Sequence, residues 1–379
     1  MDTPVALVST THTICERCKQ NPANHKLRTE KVCAQCFSVY ITTKAIKRME
    51  TYRHRGPKTQ ASKKLLLPLS FGPCSTSLLY ILNDHLQGQY DRMNRATYEL
   101  IVVHINIFTT PKDREISFKR LQEFQSRFPR HCFRMINLEE SLQVEDIDWN
   151  TIDTFLLPET RGQISPDVKL SQLIGSIVSP TSRAEMVSIL FFRLLVSFGR
   201  KNNCESVLFG DSITKLAEKT LTVIARGNGS SLQWQVSDGL SPLGISCKYP
   251  LRDLNKKEIV AFSLLATPPL DGLIIRDDTT PMSSCEKPST INDLMSQYFE
   301  SVESNYPSIV ANVVRTCGKL RTMTSQNSTP CGLCGLPFDN EMGTLSCDSG
   351  ISSSHQPIQL PKHVSSFCRG CFKLVSNTQ

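Results

Sequence analysis

The chain has 379 residues, 39% of them hydrophobic and 21% charged, which supplies a sizeable core and excludes a disordered or fibrous protein. Forty-three Lys and Arg against 35 Asp and Glu give +8, a modest attraction to polyanions well short of a histone-like binder. The longest apolar stretch, Met186 to Phe198, contains Arg193 and falls short of the roughly 20 residues of a membrane span. Met1 to Thr10 carries Asp2 where a secretory leader would be basic. The expectation is a cytoplasmic chain with no membrane partner, in a reducing compartment where its 15 cysteines serve metals or catalysis rather than cross-links.

In chain order, the first feature is a cysteine-rich head from Ile14 to Phe37. Cys15-Glu16-Arg17-Cys18 and Cys33-Ala34-Gln35-Cys36 are two CxxC turns with 14 residues between them. Each turn sets two thiolates on one side of a tight loop, and two turns supply the tetrahedral S₄ set of a structural Zn²⁺. A redox CxxC works alone and needs no second copy. Ile41 to Lys64 follows, with Lys44, Lys47, Arg48, Arg53, Arg55, Lys58, Lys63 and Lys64 against Glu50 only. This segment holds +7 of the net +8, and Tyr40, Tyr52 and His54 are interleaved with the bases as stacking groups suited to an RNA backbone.

From Leu65 to about Cys317, short apolar runs alternate with helical patterns, the signature of βαβ units and a parallel sheet. Leu65 to Ser70 reads as a buried strand despite Pro68, and Leu78, Leu79, Ile81, Leu82 and Leu86 share one helical face after it. Glu99 to Phe108 and Phe133 to Leu138 are the next strands. Arg183 to Asn202 is helical, Ser206 to Phe209 is a short strand, and Ser212 to Arg226 is a helix ended by Gly227. Leu254 to Leu265 and Ile291 to Cys317 complete the helical patterns. The tail repeats the cysteine motif: Cys331-Gly332-Leu333-Cys334 and Cys368-Arg369-Gly370-Cys371 lie 33 residues apart around a Ser-rich loop, Ser346 to Ser354. A second structural zinc is expected there, with Cys347 or His363 as substitutes for one ligand. Cys74, Cys132, Cys204, Cys247, Cys285, Cys317 and Cys347 stand singly, as small buried hydrophobes do. The expected units are residues 1–40, 41–64, 65–320 and 321–379.

Ser70-Phe71-Gly72-Pro73-Cys74-Ser75 lies between a strand and a helix, where backbone amides and helix dipole would meet a phosphate. The same residues also read as a plain turn and helix cap, with Ser75 or Ser77 as the capping residue. Further on come Gly210-Asp211-Ser212, the helix through Leu216-Ala217-Glu218, and Pro250-Leu251-Arg252 before Lys257-Glu258-Ile259-Val260. In this order, behind a double-CxxC head, they resemble the N-type ATP pyrophosphatases that thiolate tRNA, and specifically the cytoplasmic tRNA 2-thiolation protein 2 family, from Cys15 to Cys371. The resemblance implies a Rossmann-like parallel sheet of the N-type ATP pyrophosphatase (adenine nucleotide alpha hydrolase-like) type, flanked by N- and C-terminal zinc-binding CxxC modules. It implies a reaction in which ATP activates the C2 oxygen of the wobble uridine as an adenylate, and sulfur from a thiocarboxylated ubiquitin-like modifier displaces AMP.

The catalytic pattern is largely missing. Ser70, Gly72 and Ser75 match its phosphate loop, but Phe71 replaces a Gly and Cys74 an Asp. Gly210 is kept in the second motif, Asp211 stands for a His, and Thr214 and Lys215 stand where paired carboxylates would hold Mg²⁺. No CxxC precedes Phe191, and no Cys follows Glu258 until Cys285. The resemblance therefore implies a non-catalytic subunit in which ATP binding is doubtful, working with a catalytic thiolase of the same superfamily on tRNAs for Lys, Glu and Gln. Two other readings stand beside it: an autonomous ATP-dependent tRNA sulfurtransferase, and a zinc-stabilised RNA-binding module without an enzyme partner.

Overall fold

Three successive leucines, Leu65, Leu66 and Leu67, are all fully buried, because the strand that carries them is covered on both faces. Leu65 and Leu67 join one apolar cluster and Leu66 another, as the two-residue period of a strand dictates. The computed structural model describes residues 13–52, 62–107, 110–156, 165–275, 290–320, 328–338 and 366–376.

The head forms a hairpin, β1 (His25–Leu27) and β2 (Glu30–Val32), followed by α1 (Ala34–Arg48). Next come β3 (Lys63–Pro68), α2 (Pro73–Met93), β4 (Tyr98–Asn106), α3 (Pro111–Arg127) and β5 (Cys132–Asn137). Three helices, α4 (Trp149–Leu156), α5 (Pro166–Ser176) and α6 (Pro180–Lys201), lead to β6 (Ser206–Leu208) and α7 (Ile213–Ala225). Then follow α8 (Leu232–Val236), β7 (Gly239–Leu240), β8 (Ser246–Lys248), α9 (Lys256–Leu265), α10 (Ile291–Asn305) and α11 (Pro307–Cys317). The tail holds β9 (Thr329–Pro330), β10 (Pro337–Phe338) and α12 (Arg369–Ser376).

The main sheet has the order β5-β4-β3-β6-β8-β7, and every neighbouring pair is parallel except β7 against β8. The chain moves outward from β3 to β5 and then returns to lay β6 on the other side of β3. Strand order reverses between β3 and β6, which opens a crevice at the carboxyl ends of those two strands. The expected α/β parallel sheet is thus present. Residues of α1, α2, α3 and α9 pack on the Leu65 face, and those of α5, α6, α7, α10, α11 and α12 on the Leu66 face.

Several expectations shift. The pattern from Ile291 to Cys317 is two helices, because Pro307 cannot donate an amide into a continuing helix and instead starts α11 at its first position. β3 begins at Lys63, so Lys63 and Lys64 are sheet residues rather than part of a basic linker. α1 runs through residue 40, joining the zinc knuckle to the basic segment without a break. α3 and β8 are additional. The Thr110 cap with Pro111 and Asp113 behind it was a readable start for α3, whereas β8 has three residues and carries no period.

Candidate functional site

Head cysteines are placed by the hairpin and the start of α1. Cys33 is the N-cap of α1, its sulfur accepting the Cys36 amide at 3.5 Å, so the second CxxC is also a helix start. The Sγ atoms of Cys18 and Cys33 are 3.8 Å apart, and all four sulfurs of Cys15, Cys18, Cys33 and Cys36 lie within 4.8 Å of one another. A tetrahedron of sulfurs about 2.3 Å from a central ion has edges of about 3.8 Å. Burial works against ionising Cys15, but backbone amides of Cys18, Cys33 and Arg17 overcome it and bring the thiol down to about 6. Burial and then the neighbouring thiols push Cys36 up to about 12.

The tail cysteines converge equally. Cys331, Cys334, Cys368 and Cys371 fall within the same 4.8 Å limit, with Cys334 and Cys368 sulfurs 4.0 Å apart and the Cys368 amide donating to Cys331 Sγ at 3.3 Å. Hydrogen bonds from the other three thiols hold Cys331 well below the ordinary thiol range, while Cys334 and Cys371 are driven well above it. Protons are shared unequally because four adjacent thiolates repel; a dication would take the place of those protons. Each set fits a single four-coordinate ion. A four-iron cluster puts each thiolate on a different iron and so needs wider spacing. Four sulfurs close the tail set by themselves, and the suggested substitutes Cys347 and His363 lie outside the described residues.

This tail site is built into the core. Cys331, Leu333, Cys371 and Leu374 belong to the apolar cluster of the Leu66 face. Gly332 accepts from the Asp148 amide at 2.8 Å, and Gly332, Gly335 and Gly370 each back onto a polar side chain, Asp148, Arg193 and Asn228 in turn. Those three seating residues were missed from sequence. The Gly beside Cys331, Cys334 and Cys371 was the available signal for close approach.

In the crevice, Ser70 to Ser75 sits at the end of β3 and Gly210 to Ser212 at the end of β6, so the structure brings the two suspected nucleotide motifs together. A Cβ on Gly210 would lie 2.8 Å from Ser75 Cα and 2.9 Å from Ser75 N. Phe71 adopts φ +60°, the conformation natural to the Gly it replaces, and its ring turns inward to stack on His104 with centroids 4.1 Å apart. The ring is therefore buried rather than in the loop mouth. The loop's amides are turned to its own hydroxyls: Ser70 N–H donates to Ser75 Oγ at 3.3 Å and Gly72 N–H to Ser70 Oγ at 3.4 Å. Gly72 is the N-cap of α2, so neither Ser75 nor Ser77 caps that helix. Burial, then the Asp211 carboxylate, pushes the Cys74 thiol up to about 12 and keeps it protonated. Asp211 pairs with Lys219, Lys215 pairs with Glu218, and Thr214 Oγ1 accepts the Lys256 amide at 3.1 Å. These side chains are engaged with one another rather than arranged around a cation.

The basic segment is divided by the fold. On α1, the Tyr40 ring has Lys44 5.6 Å from its centroid and Arg17 of the first CxxC turn 5.0 Å from it, while Lys47 is exposed. Arg48 pairs with Asp253 at 2.7 Å and Asp238 at 3.8 Å, fastening α1 to the loops around β8. Lys63 pairs with Glu205 at 2.9 Å, and Lys64 is exposed. Arg53 and Arg55 lie outside the described residues. Distant acids made these partners invisible in a linear count of charge.

Residues 290–371 match the family described as Cytoplasmic tRNA 2-thiolation protein 2. The chain is similar to proteins of that name from Sclerotinia sclerotiorum (50% identical over 300 residues, 79% of this chain and 80% of the relative), Phaeosphaeria nodorum (42% over 335 residues, 87% and 86%) and Coccidioides immitis (32% over 364 residues, 95% and 96%). Among solved structures it resembles the U34-tRNA thiolase NcsA from Methanococcus maripaludis with its [4Fe-4S] cluster, at TM-score 0.57 and 15% identity over 85% of this chain and 92% of that one. Among the described residues no helix is long and apolar enough to cross a membrane.

Proposed function

The chain belongs to the cytoplasmic tRNA 2-thiolation protein 2 family, and from that premise we propose that it is a cytoplasmic, non-catalytic subunit required for 2-thiolation of the wobble uridine in tRNAs for Lys, Glu and Gln. It acts as a heterodimer with a catalytic thiolase of the same superfamily, which takes sulfur from a thiocarboxylated ubiquitin-like donor. The observation that carries this reading is the crevice between β3 and β6. It keeps the fold of a nucleotide site while Thr214 and Lys215 stand where paired carboxylates would hold Mg²⁺, Cys74 where an Asp would stand and Asp211 where a His would. Ser70, Gly72, Ser75, Gly210 and Asp211 remain as a degenerate frame for that crevice.

Both cysteine sets hold zinc in this reading, since each converges four sulfurs on one tetrahedral position and leaves none open for chemistry. Zinc there supplies folding energy rather than turnover. The head through α1 and the tail from residue 321 are the two zinc modules around a degenerate domain that begins at β3. tRNA contacts fall on α1 and the end of the basic segment, through Lys44, Lys47 and Lys64, with Arg53 and Arg55 between them. Arg48 and Lys63 act instead through their ion pairs, although both were grouped with the RNA contacts on sequence grounds. Tyr40, with Arg17 and Lys44 close to its ring, is the aromatic group beside these bases.

The test is in vitro thiolation with this chain, the catalytic subunit, ATP and the sulfur donor, each omitted in turn. Product must require both chains; thiolation by this chain alone overturns the proposal. In parallel, Lys44→Glu with Lys47→Glu should weaken tRNA binding and flatten its salt dependence by roughly 0.7–0.9 per lost phosphate contact. Unchanged affinity across salt would remove α1 from the tRNA surface.

A further inference from the structure

Arg193 lies inside α6 with 3% of its surface exposed, and it is the one buried Lys or Arg among the described residues. One terminal nitrogen donates to the Asp146 carbonyl at 2.6 Å, and Nε has no partner. The other terminal nitrogen is turned toward the tail. A Cβ on Gly335 would fall 1.9 Å from Arg193 Nη1 and 3.0 Å from Cζ, so the guanidinium fills the space that Gly335 leaves. Gly335 directly follows Cys334. Burial pulls the guanidinium below its ordinary range, and the charges that oppose this are Asp146, Cys334 and Cys331. The Asp146 carboxylate is itself shared with Arg200 at the surface.

A dication on four thiolates carries a formal charge of −2. Placed among Leu333, Leu374 and Phe367, such a charge is costly unless a cation stands beside it. The head set has a different setting: Arg17 pairs with Glu30 in a half-exposed position, and no buried cation adjoins those cysteines among the described residues.

We propose that Arg193 is the built-in counter-charge of the C-terminal metal–thiolate centre, so that metal binding and seating of the tail on α6 are one equilibrium. The inference rests on the reading that the tail cysteines hold a metal. Arg193 is a positioning residue: it keeps the Cys331–Gly335 turn in place and offsets the charge that the metal site brings into the core. Groups next to metal thiolates commonly change metal affinity 10–100-fold when removed.

The test uses the full chain loaded with zinc, as wild type, Arg193→Met and Arg193→Lys. Each is challenged with increasing chelator, then alkylated, and the modified cysteines are mapped by mass spectrometry. In R193M, Cys331, Cys334, Cys368 and Cys371 should become reactive at roughly tenfold lower chelator, with Cys15, Cys18, Cys33 and Cys36 unchanged. R193K, which keeps the charge, should stay within about threefold of wild type on the same scale. Tail cysteines unaffected in R193M, both sets weakened alike, or R193K as weak as R193M would each overturn the counter-charge. Should R193M fail to fold, R193K decides the matter, since loss of tail metal from it is incompatible with the proposal. If wild-type tail cysteines react fully without chelator, the metal reading has failed instead, and the two failures are told apart by that control.

Discussion

Replacing Gly210 with Ala tests whether the crevice is as tightly closed as its geometry implies. The added Cβ would stand 2.8 Å from Ser75 Cα, 2.9 Å from Ser75 N and 3.2 Å from the Cys74 carbonyl carbon. Carbon contacts ordinarily sit at about 3.5–4.0 Å. The atoms in the way are main chain in the first turn of a 21-residue helix, so no side chain can rotate aside. Either α2 or the β6–α7 connection must retreat by about 1 Å, and overpacking of that kind costs about 1–3 kcal/mol. Thermal unfolding of G210A should show a Tm lower by about 2–4 °C per kcal/mol lost. Gly175→Ala is the matched control: it lies in α5 with nothing within 4 Å of the new methyl, so the same change there should stabilise by up to about 1 kcal/mol. G210A as stable as wild type, or G175A destabilised to the same degree, would refute the close approach of the two motifs.

Three further outcomes follow from buried polar groups. Tyr52 donates to Ser206 Oγ at 2.5 Å in a buried position, tying the end of the head to β6, so Tyr52→Phe should cost about 1–2 kcal/mol in urea unfolding; a neutral result would mean that the hydroxyl is not needed there. Burial, then the Arg130 charge, holds His131 neutral and brings it down to about 4. Its folded value is below the unfolded 6.5, so protonation favours the unfolded chain: stability present above pH 6.5 is lost as pH falls toward 4, by up to about 1.4 kcal/mol per unit. His131→Gln should flatten that acid slope relative to wild type, and identical slopes would show that His131 does not drive it. Cys33→Ser removes a metal ligand and the N-cap acceptor of α1 together, so metal analysis should find about one zinc fewer per chain. Retention of full metal content would exclude Cys33 as a ligand.

The sheet was legible where the chain obeys one period over a long run. Leu65 to Leu67 and the run from Glu99 to Phe108 read as strands, the latter ending at Asn106 in β4, and Ser212 with Gly227 bracketed α7 as cap and stop. Both cysteine sets were legible because metal geometry fixes ligand type and local spacing, and the structure gathers each set of four. What stayed hidden depends on residues far apart in the chain. Arg48 reads as a free cation until Asp253 arrives across more than 200 residues. Phe71 reads only as a Gly replaced until its backbone angle and the His104 ring are known. Arg193 reads as a flaw in an apolar helix until the tail turn packs on it.

The two cysteine sets do not share a core. Cys15 and Cys33 belong to the apolar cluster on the Leu65 face of the sheet, whereas Cys331 and Cys371 belong to the cluster on the Leu66 face. Each helical layer therefore has its own rivet, and withdrawing one should slacken a single side of the molecule. Optical probes inherit the same asymmetry. Both tryptophans, Trp149 and Trp234, sit in α4 and α8, whose apolar residues pack on the Leu66 face. Intrinsic fluorescence would follow departure of the tail metal and be nearly blind to loss of the one at the head.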